Sequence, residues 1–191
     1  WDMKKFKGVE EEIGSSMKSV GEVMGIGRTF EEAFQKSIRM LDLDLEGVTD
    51  EKMLKNDRSI EGLINELTKP TPRRIFAIVK VLKRGLSVRD IQESTGIDAR
   101  FLERIKNIVE KEERLAGKNI RSLDKKGLYE LKRLGFSDKK IGSIFRCKGL
   151  DIRKLRQQLG ILPSVFQIDT LAAEFPAKTN YLYLTYNGSH N

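Results

Sequence analysis

Two punctuation marks set fifty residues apart constrain this chain most: Gly85-Leu86-Ser87 followed by Ile91, and Gly135-Phe136-Ser137 followed by Ile141. In each, glycine can close one helix in the left-handed conformation and serine can cap the next. The apolar residue between them stands five positions before the isoleucine, the spacing of a hydrophobic staple. Such a chain must build short helices joined by tight turns. The copies continue as Gly96-Ile97-Asp98 leading to Leu102 and Gly149-Leu150-Asp151 leading to Leu155. That offset of fifty-three predicts three extra residues in the second copy near Phe145 to Lys148. Two copies are too few for a solenoid. The expectation is two related helical hairpins packed face to face, joined by a long helix from about Ala99 to Leu115.

Helical patterning runs from about Asp50 to Leu162. Ser59 to Leu67 reads as a brief helix stopped by Thr68-Lys69-Pro70. Thr71-Pro72 then offers a cap and a proline at the first helical position, and Ile75, Ile78, Val79 and Leu82 supply the stripe. Upstream, Met17 to Met40 reads as strand, turn and helix. Val20 to Met24 is the strand, Gly25-Ile26-Gly27 the turn, and Thr29 with Glu32 a capping box. Phe30, Phe34, Ile38 and Leu41 form the helix's apolar stripe. Leu43 to Thr49 is a connector that turns at Gly47. Downstream, Leu162-Pro163 ends the last helix, Val165 to Asp169 is extended, and Tyr181 to Tyr186 is a strand. One strand makes no sheet, so its partner is expected beyond the chain, as is the partner of the strand-turn-helix unit before Trp1. The fold class is mainly α: a helical bundle flanked by partial α/β segments.

No run approaches the roughly 18 apolar residues of a spanning helix, so a membrane role is rejected. The single cysteine, Cys147, forms no internal disulfide and fits a reducing cytosol. A net charge of +8 favours polyanionic partners, but acidic residues interleave with the basic ones, as in Glu110 to Arg114, and dilute any basic stripe. Gly25-x-Gly27 before a helix could cradle phosphate, although Phe30 stands where a dinucleotide fingerprint needs glycine. Cys147 lies between Arg146 and Lys148, which could lower its pKa. His190, the only histidine, reads as a tail residue, and neither Asp42 with Asp44 nor Asp169 with Glu174 has a pattern for acid–base work. The alternative function is nucleic-acid binding. Ser87 to Ile97 and the following helix have helix-turn-helix form, with Ala99-Arg100 facing the groove. Against it, Phe101, Leu102 and Ile105 follow at once, Glu103 repels phosphate, and no amide side chain appears before Asn107.

The wording of three stretches is more specific. MKSVGEVMGIGRTFEEAFQK from Met17, after the Trp1-Asp2 and Lys5-Phe6 lead-in, resembles the segment that closes the first ATP-grasp half of the carbamoyl-phosphate synthetase large subunit. IDTLAAEFPAKTNYLYLTYNG from Ile168 is similar to the segment that leads into the second half, with Leu171 in place of the family's Cys and Leu184 in place of Ser. FLERIKNIVE and IRKLRQQLGILP look like the oligomerisation domain between them. The resemblance implies three parts: 1–43 as the tail of the carboxyphosphate half, 44–163 as the helical oligomerisation domain, and 164–191 as the linker and first strand of the second half. It implies an ATP-dependent ligase making carbamoyl phosphate from bicarbonate and glutamine-derived ammonia, for arginine and pyrimidine synthesis. ATP, Mg²⁺ or Mn²⁺ and K⁺ would serve the full enzyme, with no cofactor, metal or catalytic residue in this piece. The implied partners are the rest of the large subunit, a glutaminase small subunit and further copies of itself, in the cytoplasm. Met17 and Glu22 match residues lining the family's carbamate tunnel.

Overall fold

Left-handed backbone at Gly85, Gly96 and Gly135, with φ of +87°, +69° and +84°, cuts the middle of the chain into the short helices its spacing predicts. Residues 7–9, 12–15, 21–54, 59–168 and 181–188 are described in the structure, a computed structural model. Among them run α1 (Phe30–Met40), α2 (Glu51–Leu54), α3 (Ile60–Thr68), α4 (Arg74–Lys83), α5 (Val88–Thr95) and α6 (Ala99–Glu113). A 3₁₀ turn (Ile120–Ser122) precedes α7 (Lys125–Arg133), α8 (Asp138–Ile144) and α9 (Gly149–Gln158). Strands β1 (Ser164–Gln167) and β2 (Leu182–Thr185) follow. No helix among the described residues is long and apolar enough to cross a membrane.

The serines cap as expected. Ser87 accepts from the Asp90 N–H and Ser137 from the Lys140 N–H, while Ser59 serves α3 through Gly62. After the closing glycines, Leu86 N–H donates to Val81 O at 3.0 Å and Phe136 N–H to Leu131 O at 3.1 Å, the same helix-ending bond in both copies. The Thr71-Pro72 cap is not used: those residues form a turn, and α4 starts at Arg74 without a side-chain cap. This helix holds its place by burial. Phe76, Ala77, Ile78, Val79, Val81 and Leu82 are all inside, so α4 is the apolar axis of the core and contacts α2, α3 and α6.

The repeat is more regular than its letters indicate. Left-handed Gly96 corresponds to left-handed Arg146, with φ +55°, and the N-caps Asp98 and Lys148 follow each by two residues. Helices α6 and α9 begin at Ala99 and Gly149, and Leu102 and Ile152 are both fully buried. The offset therefore stays at fifty and the expected three-residue insertion does not exist. Gly149 misleads because it answers a packing need, not a turn: a Cβ there would lie 2.9 Å from Lys139 Cα. The repeating unit is three helices, α4–α6 and α7–α9, with α6 belonging to the first copy rather than linking two hairpins. Both units feed one hydrophobic core.

Two flanking expectations change. Gly21 to Met24 forms no strand and is exposed; Val20 lies outside the described residues. At the other end β1 and β2 pair antiparallel with each other, Val165 opposite Leu184 and Phe166 opposite Tyr183, so the strand's partner is within the chain. The connector is also not a surface loop. Leu45, Val48 and Thr49 are buried, and left-handed Asp42 and Asp44 fold it back onto the bundle.

Gly85 and Gly135 allow a direct comparison. A Cβ at Gly85 meets nothing within 4 Å, whereas at Gly135 it meets Glu32 Cα at 2.9 Å and Gln35 Cβ at 3.0 Å. Chemical denaturation should show Gly85→Ala costing about 1 kcal/mol, the left-handed penalty alone. Gly135→Ala should cost a further ~1–3 kcal/mol from overpacking against α1. Equal losses would mean that α1 does not sit against the α7–α8 turn.

Candidate functional site

The most buried side of α1 is polar. Its apolar stripe is only partly covered at Phe30, Phe34 and Leu41, whereas Glu31, Glu32 and Gln35 are buried with Ile38. Thr29 caps through its hydroxyl, which accepts from the Glu32 N–H at 3.3 Å. The Glu32 carboxylate returns the bond one residue earlier than the capping box predicts, to the Arg28 N–H at 3.0 Å. It then does more than cap. The same oxygen accepts from the Thr185 hydroxyl at 2.8 Å and Asn187 Nδ2 at 3.0 Å, and the other from Lys36 Nζ at 2.9 Å.

Lys36 and Asn187 carry the junction outward. Lys36 Nζ also donates to the carbonyls of Ile26 and Leu184, at 2.7 and 2.6 Å. Asn187 binds α7 through both ends of its amide: Nδ2 donates to Arg133 O at 2.9 Å, and Oδ1 accepts from Arg133 Nε at 2.7 Å. Two parts of the chain thus meet on one carboxylate, the turn and helix of the N-terminal unit and the C-terminal hairpin, and Asn187 links them to α7 of the bundle. Arg28 stacks 4.4 Å over the Phe166 ring and closes the outer side.

Two further buried clusters lie in the bundle. Lys132 donates to Phe136 O at 2.8 Å and to Asp138 at 2.7 Å, and Arg156 Nε donates to the other Asp138 oxygen at 2.9 Å. The Tyr186 ring lies 5.0 Å from Lys132 Nζ, which brings the hairpin onto this cluster too. The second centres on Glu112, which takes Lys140 at 3.1 Å, Lys83 at 3.2 Å and the Thr49 hydroxyl. Lys140 also donates to Thr49 O at 2.9 Å. That cluster pins the connector to α4, α6 and α8.

Burial would raise the Glu32 carboxyl, but hydrogen bonds from Lys36, Asn187, the Arg28 backbone and Thr185 outweigh it and hold its pKa below the ordinary 4.5. Asp138 follows the same logic: burial raises it, and Lys132 with Arg156 pulls it below its ordinary value. Glu46, bonded to Ser137 and Lys139, is likewise lowered against its own burial. Burial lowers Lys132, with Asp138 opposing.

The residues that the sequence singles out for chemistry fare differently, and none assembles a reacting centre. Gly25-x-Gly27 is a packing turn. A Cβ at Gly25 would collide with Ser37 Oγ and the Ala33 carbonyl, and the helix end behind the turn is already filled by the Glu32 carboxylate, which repels phosphate. The residues here therefore do not fit a nucleotide. Cys147 is raised, not lowered, by burial and by Asp151. Asp44 is paired with Lys52. Glu22 is exposed on a stretch that belongs to no strand or helix, while Met17, His190, Asp169 and Glu174 lie outside the described residues. The helix-turn-helix reading fails locally: Arg100 is engaged by Asp98 at 3.2 Å, Phe101 lies against Phe30 with ring centres 5.4 Å apart, and Asn107 donates to Glu31. A basin of about 440 Å³ between α1, α6 and α7 has cations committed to neighbouring acids, Lys111 to Glu130 and Arg114 to Glu110.

Sequence reasoning did not find Glu112, Lys132, Lys140 or Asn187. For Glu112 a signal existed: Leu102, Ile105, Val109 and Glu112 are spaced three, four and three apart, placing a carboxylate on the buried stripe. Asn187, outside any periodic segment, offered none.

This is a mainly helical domain whose buried polar side chains hold its own segments together. The chain belongs to the carbamoyl-phosphate synthetase large chain, oligomerisation domain family, whose description matches residues 22–160. It is 47% identical over 191 residues to the carbamoyl phosphate synthase large chain of Sulfolobus acidocaldarius, covering 100% of this chain and 18% of that one. It is 48% identical over 189 residues to the multifunctional protein CAD of Squalus acanthias, covering 98% of this chain and 8% of that protein. With the human mitochondrial carbamoyl-phosphate synthase (ammonia) it shares 46% identity over 192 residues, 100% of this chain and 13% of that protein. The chain thus spans less than a fifth of the length of the curated relatives it matches.

Two outcomes follow from the clusters. Lys140→Met should destabilise the fold by about 3 kcal/mol, because Glu112 is left short of charge compensation. Lys140→Met combined with Glu112→Gln should recover part of that loss in urea melts; a double variant worse than the sum would contradict the pairing. The second concerns acid. A carboxyl whose folded pKa is depressed contributes stability fully above its unfolded pKa and loses it as pH falls through the folded one. Stability should therefore drop as pH falls below the ordinary carboxyl values of 4.5 for Glu32 and 3.8 for Asp138. Glu32→Gln should lower stability at neutral pH and flatten this acid limb in thermal melts taken across pH. An unchanged limb would show that Glu32 does not supply it.

Proposed function

We propose that this chain is the bracket between the two synthetase halves of a carbamoyl-phosphate synthetase large subunit, and the domain through which such subunits associate. On this reading 1–43 close the carboxyphosphate-forming ATP-grasp half, 44–163 are the helical oligomerisation domain, and 164–191 begin the second half. The observation that carries it is the Glu32 junction, where the turn before α1 and the hairpin after α9 bond to one carboxylate and Asn187 ties the hairpin to α7. A bracket needs that: two chain ends held in one fixed relation by a body without chemistry of its own.

The whole subunit would then phosphorylate bicarbonate, form carbamate from glutamine-derived ammonia, and phosphorylate carbamate with a second ATP, serving arginine and pyrimidine synthesis in the cytoplasm. ATP, Mg²⁺ or Mn²⁺ and K⁺ would be bound by the remainder of the large subunit, and ammonia supplied by a glutaminase small subunit. Met17 and Glu22 would form wall of the carbamate tunnel. Support for Glu22 is its exposure on a stretch outside any strand or helix, leading directly into the packed Gly25 turn. A carboxylate there repels an anionic intermediate and acts as wall, not ligand.

The test is exchange of this segment into the Sulfolobus acidocaldarius large chain in place of its own. The chimera should make carbamoyl phosphate, and Glu22→Lys within it should cut product at least tenfold while ATP hydrolysis continues. Bicarbonate-dependent ATP hydrolysis by the isolated 191 residues would overturn the reading.

A further inference from the structure

The C-terminal hairpin is held differently from the helices that build the core. Its outward face, Val165, Leu182 and Leu184, is 60%, 62% and 54% exposed, and neither strand contributes a buried apolar side chain to the core. Helices α4, α6 and α7 each bring several such side chains. Within β1 and β2 the one fully buried side chain is polar: Thr185, 1% exposed, with its hydroxyl on Glu32. Beyond the Tyr186 ring, which packs on the core beside Lys132, attachment rests on polar bonds, and most of these converge on Glu32. Thr185 and Asn187 both donate to a single Glu32 oxygen, and the Asn187 N–H donates to Thr185 Oγ1 at 3.0 Å. Lys36 bridges the other Glu32 oxygen to the Leu184 carbonyl.

The first turn of α1 depends on the same atoms. The Arg28 N–H reaches the oxygen that holds Thr185 and Asn187, and Lys36 also ties the Ile26 carbonyl before the helix. Glu32 is 2% exposed, so water cannot replace a lost partner without opening the packing. Two segments more than 150 residues apart thus share one buried acceptor.

We propose that Glu32 is a latch that couples the order of the segment before α1 to the docking of the C-terminal hairpin, so that release of either end loosens the other. Its bearing on communication between two synthetase halves rests on the function proposed above; the coupling itself is a property of this chain. Coupling of this kind is reciprocal by thermodynamic necessity. A pair that merely sits close together, each segment being held by its own contacts, gives no such reciprocity.

Hydrogen exchange on the 191-residue chain separates the two. Glu32→Gln should speed exchange of the β1–β2 amides at least tenfold. Asn187→Ala, which leaves α1 untouched chemically, should speed exchange of the Glu32 and Ala33 amides by several-fold. The core amides of α4 and α6 should stay as in the parent chain in both. In the Glu32→Gln background, Asn187→Ala should speed hairpin exchange by less than it does in the parent chain, since only the Asn187 bonds to Arg133 are then left to lose. Where Glu32→Gln loosens the core as well, Lys36→Met supplies the same comparison without unpairing Thr185 or Asn187. Unchanged α1 exchange in Asn187→Ala, or strictly additive effects in the double variant, would overturn the latch. Because no enzyme activity enters, its failure is distinct from failure of the chimera to make carbamoyl phosphate.

Discussion

A single carboxylate out of water, Glu32, carries the organisation of the two segments that flank the bundle. Burying an unpaired carboxylate is prohibitively unfavourable, and burying one surrounded by hydrogen-bond donors is not. That asymmetry makes the arrangement specific: the Glu32 side chain can stay inside only if the Arg28 turn, Lys36, Thr185 and Asn187 are all in place. Apolar contact between the same segments would be tolerant of sliding. Hydrogen bonds to fixed oxygen positions are not. The hairpin therefore occupies one position on the bundle although its outward face meets solvent.

The bundle beneath supplies the rigidity this requires. Its two three-helix copies share a core in which Ile91 and Ile141, Leu102 and Ile152 occupy equivalent, fully buried places. The second copy has exchanged an apolar position for a charged one, with Lys132 standing where the first copy has Leu82. Lys132 and its partner Asp138 then support Tyr186 and the hairpin. The second copy thus receives the C-terminal segment at a charged position, while the first receives α1 on α6 and holds the connector through buried Glu112.

Much of this was legible in the letters. Gly85 and Gly135, Ser87 and Ser137 end and start helices for local reasons, and local reasons survive folding. The apolar stripe of α4 read correctly for the same cause, with Ile78, Val79 and Leu82 buried. What misled was a letter with two possible uses: Gly149 matches Gly96 in type, yet it permits a close approach to Lys139 while Arg146 takes the left-handed place. The strand expected around Val20 to Met24 rested on propensity alone, and its described part forms none. The hairpin was half seen: Tyr181 to Tyr186 read as a strand and Val165 to Asp169 only as extended, and their pairing spans a separation no periodicity encodes. The junction was the least legible part. Thr29 and Glu32 announced a cap, and the cap formed, but its extension to Thr185 and Asn187 depends on tertiary placement alone. The resemblance named the family correctly without locating that contact.

The central claim is that α1 with its preceding turn and the β1–β2 hairpin are fixed on one body, and an interspin distance measurement tests it most directly. In a Cys147→Ser background, spin labels at Met40→Cys on α1 and Leu182→Cys on β2 use two exposed positions on the two segments in question. Fixed attachment predicts one narrow distance population at neutral pH that broadens when Glu32→Gln is added. A broad distribution in the parent chain, with the bundle intact by circular dichroism, would contradict it.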